Sequence, residues 1–269
     1  MNPTKSVNRC YSSVVTPGLR LAEIFYPAGG RQKAHWHVDS TITLITSGSL
    51  EECGPNGFHH ARAAGVVFKP ARTLHSDAFG PAGAHTLQIR LPAPSVSDPI
   101  GWTSAVERYR WIDGGPLARS LLRLYRIFAG ADVSTELLLE ETLCEIAAIA
   151  VPQLGDSLAS DRPAWMRRVV DRLSSNVFAT HRVSELATEA GVHPVYLARA
   201  FRRHQHCSIG EFVRRQRVGE VCRRLTTSSA SLASIALESG FSDQSHLCRV
   251  FRAELGLTPS AYRKLVRAN

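Results

Sequence analysis

Between residues 19 and 95 the apolar positions fall in short, often alternating runs: LRLAEIFY (19–26), TITLITSG (41–48), GVVFKPA (65–71) and HTLQIRL (85–91). PAGG, CGPNG and GPAG interrupt them, and clusters of Gly, Pro and Asn end strands. Several short strands at this spacing predict a sandwich or barrel. After residue 101 the period changes. LARSLLRLYRIFAG (117–130) and TELLLEETLCEIAAIAVPQL (135–154) repeat their apolar residues at helical spacing, and GADVS between them predicts a helical hairpin. Both segments hold more leucine than one buried face needs. The hairpin reads either as a packing surface for a second copy of the chain or as a cover for its own β-domain. GDSLASDRP (155–163) is small, polar and closed by proline, which predicts a linker.

From Ala164 the pattern is helical to the end. The predicted helices are 164–178, 183–191, 194–204, 209–225, 231–240, 244–256 and 259–267. Within them one unit occurs twice. Leu186-Ala187-x3-Gly191-Val192 matches Ile235-Ala236-x3-Gly240-Phe241 at an offset of 49. Leu197-x-Arg199-x-Phe201-Arg202 matches Leu247-x-Arg249-x-Phe251-Arg252 at an offset of 50. Ser208 then aligns with Thr258, and Phe212 with Tyr262. Helix, glycine turn, helix is the helix-turn-helix pattern. Ala187 and Ala236 let the second helix cross close over the first. Gly191 and Gly240 permit a left-handed turn, and Val192 or Phe241 fills the angle. Leu197 with Phe201, and Leu247 with Phe251, bury one face at i,i+4.

The opposite face follows from about 100° per residue. Val195, Arg199 and Arg202 point away from Leu197, flanked by Tyr196 and Arg203. Ser245, Arg249 and Arg252 point away from Leu247, with Gln244 at the helix start and His246 to the side. Both helices thus offer arginine to a groove, where it pairs bidentately with guanine. The helix starts, at His193-Pro194 and Ser242-Asp243-Gln244, offer N–H groups for a phosphate.

Charge sharpens this reading. Of a net +9, residues 1–160 contribute nothing, with 14 basic and 14 acidic residues. Residues 161–269 hold 18 basic and 9 acidic residues, so the whole excess sits beside the repeat and points to a polyanion partner. The 269 residues suffice for about two domains. There is no apolar run of bilayer length and no signal-type N-terminus, which leaves a cytoplasmic protein as the expectation. The six cysteines form no C-x-x-C pair, against a disulfide framework or a structural zinc site. No Ser/His/Asp or Cys/His arrangement and no phosphate-binding glycine loop is readable, so an enzyme is not expected.

The stretch IALESGFSDQSHLCRVFRAELGLTPSAYR (235–263) closely resembles the signature of the AraC/XylS family of bacterial transcription regulators, through Ala236, Gly240, Phe241, Gln244, Ser245, Leu247, Arg249, Phe251, Gly256, Pro259, Tyr262 and Arg263. The resemblance covers residues 164–267. It implies a seven-helix region whose recognition helices, held by a connecting helix near Ile209–Leu225, enter neighbouring major-groove segments. Cys207-Ser208-Ile209 departs from the family, which often has proline after Ser or Thr.

A regulator needs an input, and AHWHVDSTITLITSG (34–48) with GVVFKPARTLH (65–75) resembles the two short motifs of cupin barrels. That resemblance implies a metal held by His35, His37, a glutamate and His75, but Thr41 stands at the glutamate position. His35, His37 and His75 are therefore candidates both for effector binding and for metal, with His59, His60 and His85 as further candidates and Ile42, Leu44 and Val67 as apolar walls. No cofactor is expected beyond such an ion. The expected architecture is a cupin-like sensor (1–100), a helical hairpin for dimerisation (101–154), a linker (155–163) and an all-α DNA-binding region with two helix-turn-helix units (164–267). The expected partners are double-stranded DNA, a small effector, RNA polymerase and a second copy of the chain, with no membrane. The leading function is a sequence-specific regulator. A metal-binding cupin sensor or enzyme joined to a DNA-binding region, and a non-specific DNA binder, are the alternatives.

Overall fold

The computed structural model describes residues 9–16, 19–91, 106–130, 135–150 and 163–267. Apart from Pro163, the stretch read as a linker lies outside them. Eight strands precede the helices: β1 (Arg9–Thr16), β2 (Leu19–Tyr26), β3 (Arg31–His35), β4 (Ser40–Gly54), β5 (Gly57–Arg62), β6 (Gly65–Lys69), β7 (His75–Leu91) and β8 (Arg110–Asp113). They form one antiparallel sheet in the order β1-β2-β7-β4-β6-β8, with β3 on β7 and β5 on β4. β8 comes from the stretch expected to begin the helical hairpin.

The long strands β4 and β7 organise the sheet. Their register shifts between Ile45 and Ser47 and between Gly48 and Leu50, so each strand bends and serves two parts of the sheet. Gly48 has φ +79°, and a Cβ there would collide with the Gly83 carbonyl, so the bend needs glycine at this position. Alternation then sorts the side chains. Leu21, Ile42, Phe68 and Ile89 share the outer face with Leu44, Val66 and Leu87, and this face is apolar and buried. Tyr26, Thr41, Thr43, Val67, Lys69, Gln88 and Arg90 share the inner face, where Tyr26 stacks on Phe79 with ring centroids 4.2 Å apart.

Nine helices lie among the described residues: α1 (Gly115–Ala129), α2 (Thr135–Ala150), α3 (Ala164–Ser175), α4 (Val183–Ala190), α5 (Pro194–Gln205), α6 (Ile209–Thr227), α7 (Leu232–Glu238), α8 (Gln244–Leu255) and α9 (Pro259–Arg267). α1 and α2 pair as the expected hairpin. α1 is tied to the outer face of the sheet, where the Tyr125 hydroxyl donates to the buried Glu23 carboxylate at 2.6 Å. The same apolar cluster continues from the sheet and α1 into α6, α7, α8 and α9, through Val218, Val221, Leu247, Phe251 and Tyr262. The first helix-turn-helix unit has its own cluster, built from Met166, Leu173, Leu186, Leu197, Phe201 and Phe212. The linker was expected to join two independently folded cores. Instead, the second unit shares its core with the sheet and the first hairpin helix, because α6 packs on β4 and α8 packs on α1.

Candidate DNA interface and histidine site

The duplicated unit folds as the pairing of its residues requires. Ala187 and Ala236 are buried at the two crossings, and Gly191 and Gly240 hold φ +69° and +74°. Leu197, Phe201, Leu247 and Phe251 are fully buried. Phe201 meets Phe212 edge to face at 5.5 Å, and Phe251 meets Tyr262 likewise at 5.6 Å, so the repeat extends to ring geometry. Ser208 caps α6 in a reciprocal box with Glu211, which replaces the family's proline as the start signal.

α5 and α8 present the expected outer faces. Val195, Tyr196, Arg199, Arg202 and Arg203 are exposed on α5, and Gln244, Ser245, Arg249 and Arg252 on α8. His246 differs: it is half-buried, its Nδ1 lies 3.1 Å from the Ser242 hydroxyl, and its ring stands edge-on to Phe241. The helix starts also differ from expectation. The N–H of Val195 is bonded to His193 Nδ1, and the N–H of His246 to the Asp243 carboxylate at 2.7 Å. These donors serve the chain's own caps, and Asp243 places a negative charge where a phosphate was expected. The same N–H, with the Ser242 hydroxyl, holds the Asp243 carboxyl below its ordinary pKa.

Arg217 on α6 connects the two units, a role the sequence did not signal. Its guanidinium donates to the carbonyls of Val177 at 3.0 Å, Gly240 at 3.1 Å and Ala179 at 3.3 Å. One side chain thereby holds the segment after α3 and the turn of the second unit.

In the sheet domain, His35, His37 and His75 come together, with one nitrogen of each within 4.8 Å of the others. Ring centroids are 4.3 Å apart for His35 and His75, 4.9 Å for His35 and His37, and 5.2 Å for His37 and His75. β3 carries His35 and β7 carries His75 directly opposite it in the ladder, while His37 lies just beyond β3. Beneath them is a buried polar group that sequence reading missed. Lys69 pairs with Glu52 and stands 4.0 Å from Asp77 Oδ1. The Tyr109 hydroxyl donates to Glu52 at 2.6 Å, and Trp111 Nε1 donates to that hydroxyl at 3.0 Å. Burial pushes the Glu52 carboxyl upward against the opposing effect of Lys69. The alternation of β4, β6 and β7 carried this signal, but only their pairing shows that Glu52, Lys69 and Asp77 meet.

Burial, reinforced by Lys69, lowers the His75 pKa to about 4, so its imidazole is neutral at pH 7. His37 shifts in the same direction, with desolvation first and coupling to the neighbouring imidazoles next. His37 is exposed, so the buried His75 is the better measure of the site. Thr41 is buried between Lys69 and Arg90 in the ladder. Ile42 and Leu44 are not walls of this site: they face the helices, and only Val67 shares the inner face. His59 stacks on Trp111 at 4.6 Å, His60 lies 3.5 Å from Glu51, and His85 lies against Phe25. These three side chains have partners away from the cluster.

Comparison with known proteins adds a family. A family model described as a helix-turn-helix domain matches residues 186–265. The regulatory protein PocR of Salmonella typhimurium is 28% identical over 153 residues, 54% of this chain and 50% of PocR, so the chain spans half of that relative's length. The transcriptional activator AarP of Providencia stuartii is 30% identical over 112 residues, 41% of this chain and 77% of AarP. The ToxT structure from Vibrio cholerae O395 covers 94% of this chain and 100% of its own at 13% identity, with a TM-score of 0.40. The chain belongs to the AraC family of transcription regulators. No helix among the described residues is long and apolar enough to cross a membrane.

Proposed function

We propose that this protein is a sequence-specific DNA-binding regulator of transcription, with α5 and α8 reading neighbouring major-groove segments and a small ligand received at the His35, His37 and His75 cluster. The observation that carries the reading is the duplication. Two helix-turn-helix units with the same pattern of burial expose arginines at equivalent positions, Arg199 and Arg249, in residues 161–269, which hold all the excess positive charge. Guanine in the major groove is the fitting partner for such arginines. The AarP relative is named as a transcriptional activator, which supports activation as the outcome and RNA polymerase as a partner.

Selection of bound duplexes from a random pool at fixed salt tests the DNA reading. A single enriched motif with two half-elements is expected. Equal recovery of all sequences would make the protein a non-specific binder instead. The ligand reading has its own test: His37→Ala combined with His75→Ala should abolish the effector response of a reporter while leaving operator binding intact. A folded double variant that responds as wild type does would move the ligand site elsewhere.

A further inference from the structure

The short strand β8, with Tyr109 just before it, touches separate parts of the molecule through alternate side chains. Trp111 stands opposite Val67 in the ladder and Arg110 opposite Phe68, so Tyr109, Trp111 and Asp113 fall on one side and Arg110 and Ile112 on the other. On the first side the contacts run from residue to residue. Glu52, paired with Lys69 beneath the histidines, accepts from the Tyr109 hydroxyl at 2.6 Å. That hydroxyl accepts in turn from Trp111 Nε1 at 3.0 Å. The indole lies flat on His59, with ring centroids 4.6 Å apart and planes inclined by 10°. His59 Nε2 stands 3.9 Å from Asp113 Oδ1, and the other Asp113 oxygen accepts from Gln216 Nε2 on α6 at 3.0 Å. Burial, with the Glu52 charge, holds the Tyr109 phenol above its ordinary pKa, so it stays a donor. At its end β8 passes through Gly114 and Gly115 into α1. The Arg215 side chain of α6 lies across both glycines, and its Nε stands 3.7 Å from Glu254 on α8. One strand therefore meets the buried polar group of the ligand site at one end and α6 at the other.

We propose that β8 couples the buried Glu52 beneath the histidines to the placement of the second DNA-reading unit, through Tyr109, Trp111, His59 and Asp113 to Gln216. Asp113 and Gln216 are then positioning residues for DNA reading. A displacement at Glu52 reaches α6 because close-packed side chains compress little and pass it on. The second unit shares its core with the sheet, whereas the first closes on a cluster of its own. What β8 shifts is therefore the second unit relative to the first, and with it the match of α5 and α8 to two half-elements at once. Linkage is reciprocal, so operator binding alters ligand affinity by the same factor. This coupling rests on the regulator reading and the ligand site given above, and it names how that site is joined to DNA reading.

The test uses the full chain and the operator selected from the random pool, with the half-element of α8 assigned by its sensitivity to Arg249→Ala. Tyr109→Phe breaks the row at the ligand end, and Gln216→Leu breaks it at the α6 end. Each should weaken binding to the intact operator by about fivefold, and leave binding unchanged on a duplex whose α8 half is scrambled. The double variant should lose no more than either single one, since a row broken once has nothing further to transmit. Independent effects would instead multiply to about 25-fold, as they do for distant residues without shared partners. Urea unfolding establishes that each variant is folded under the assay conditions. Where Tyr109→Phe is not, Trp111→Phe takes its place, because it keeps a ring on His59 and removes only the N–H. A merely structural role would lower stability without producing the dependence on the α8 half or the non-additivity. Multiplied losses, equal losses on both duplexes, or no loss would each overturn the proposal. A wild type that enriches no motif would overturn the regulator reading, and the coupling with it. The double histidine variant, read on a reporter, tests the ligand site separately.

Discussion

Arg199 and Arg249 stand at equivalent places on α5 and α8, each three residues before a second exposed arginine. Replacing either with alanine should cost about 1–3 kcal/mol on the selected operator if it pairs with a base. Mobility-shift titrations on operator and random DNA at one salt concentration check this, and equal losses on both would make the arginines phosphate contacts. The neighbouring His246 shows how residue-scale reading goes astray. Helical geometry places it beside the groove-facing residues, but Ser242 lies four residues before it and holds its ring in the turn. The competition is local, and a helical wheel does not contain it. The caps behave alike: Asp243 satisfies the N–H groups that an anion would otherwise use.

At the scale of elements, α6 carries the geometry of both recognition helices. Arg217 donates three hydrogen bonds to carbonyls on either side of it, so its side chain fixes the segment after α3 against the second turn. Arg217→Ala should lower unfolding stability by about 1–3 kcal/mol, since the charged donor leaves carbonyls without partners. It should also weaken binding to the full operator more than to an isolated half. Denaturant unfolding and paired half-site titrations would show this. Loss of stability with unchanged half-site preference would confine Arg217 to folding. The helix boundaries themselves were legible, from 3.6-residue periodicity, Gly256 and the Pro259 start. The strands β3, RQKAH, and β5, GFHHAR, were not. They pair at the margins of the sheet and carry polar residues on both faces, so no apolar alternation marks them.

At the scale of the whole molecule, the sheet and the second helix-turn-helix unit are one apolar core. Its polar pin is Tyr262, whose buried hydroxyl donates to the Thr46 carbonyl at the register shift of β4. Burial, with Cys222 beside it, holds that phenol well above its ordinary pKa, so it stays a donor. Tyr262→Phe should destabilise the full chain by about 1–3 kcal/mol. Calorimetry of the full chain and of the variant would check it, and unchanged stability would leave the hydroxyl without a role in holding the sheet to the second unit. The hairpin supports a second expectation. Leu138 on α2 is 38% exposed. Leu138→Arg should shift any dimer to monomer in sedimentation. A wild type that is monomeric at high concentration would make the hairpin a cover for the sheet alone.

The sequence by itself determined the repeat, the turn glycines, the outward arginines and the convergence of His35, His37 and His75. Each depends on spacing along a short stretch or on two matched motifs, and periodicity preserves that information. The tertiary structure alone decided which face of β4 looks inward. It turned Ile42 and Leu44 to the helices and left Glu52, Lys69 and Asp77 around the histidines. It also gave a purpose to the one difference between the aligned aromatics. Phe212 closes the first unit in a core of its own, whereas Tyr262 closes the second against the sheet, where a hydroxyl finds a carbonyl. Strand pairing and domain docking join residues far apart in sequence, as the 216 positions between Thr46 and Tyr262 illustrate. No local pattern along the chain encodes which distant backbone group such a side chain will meet.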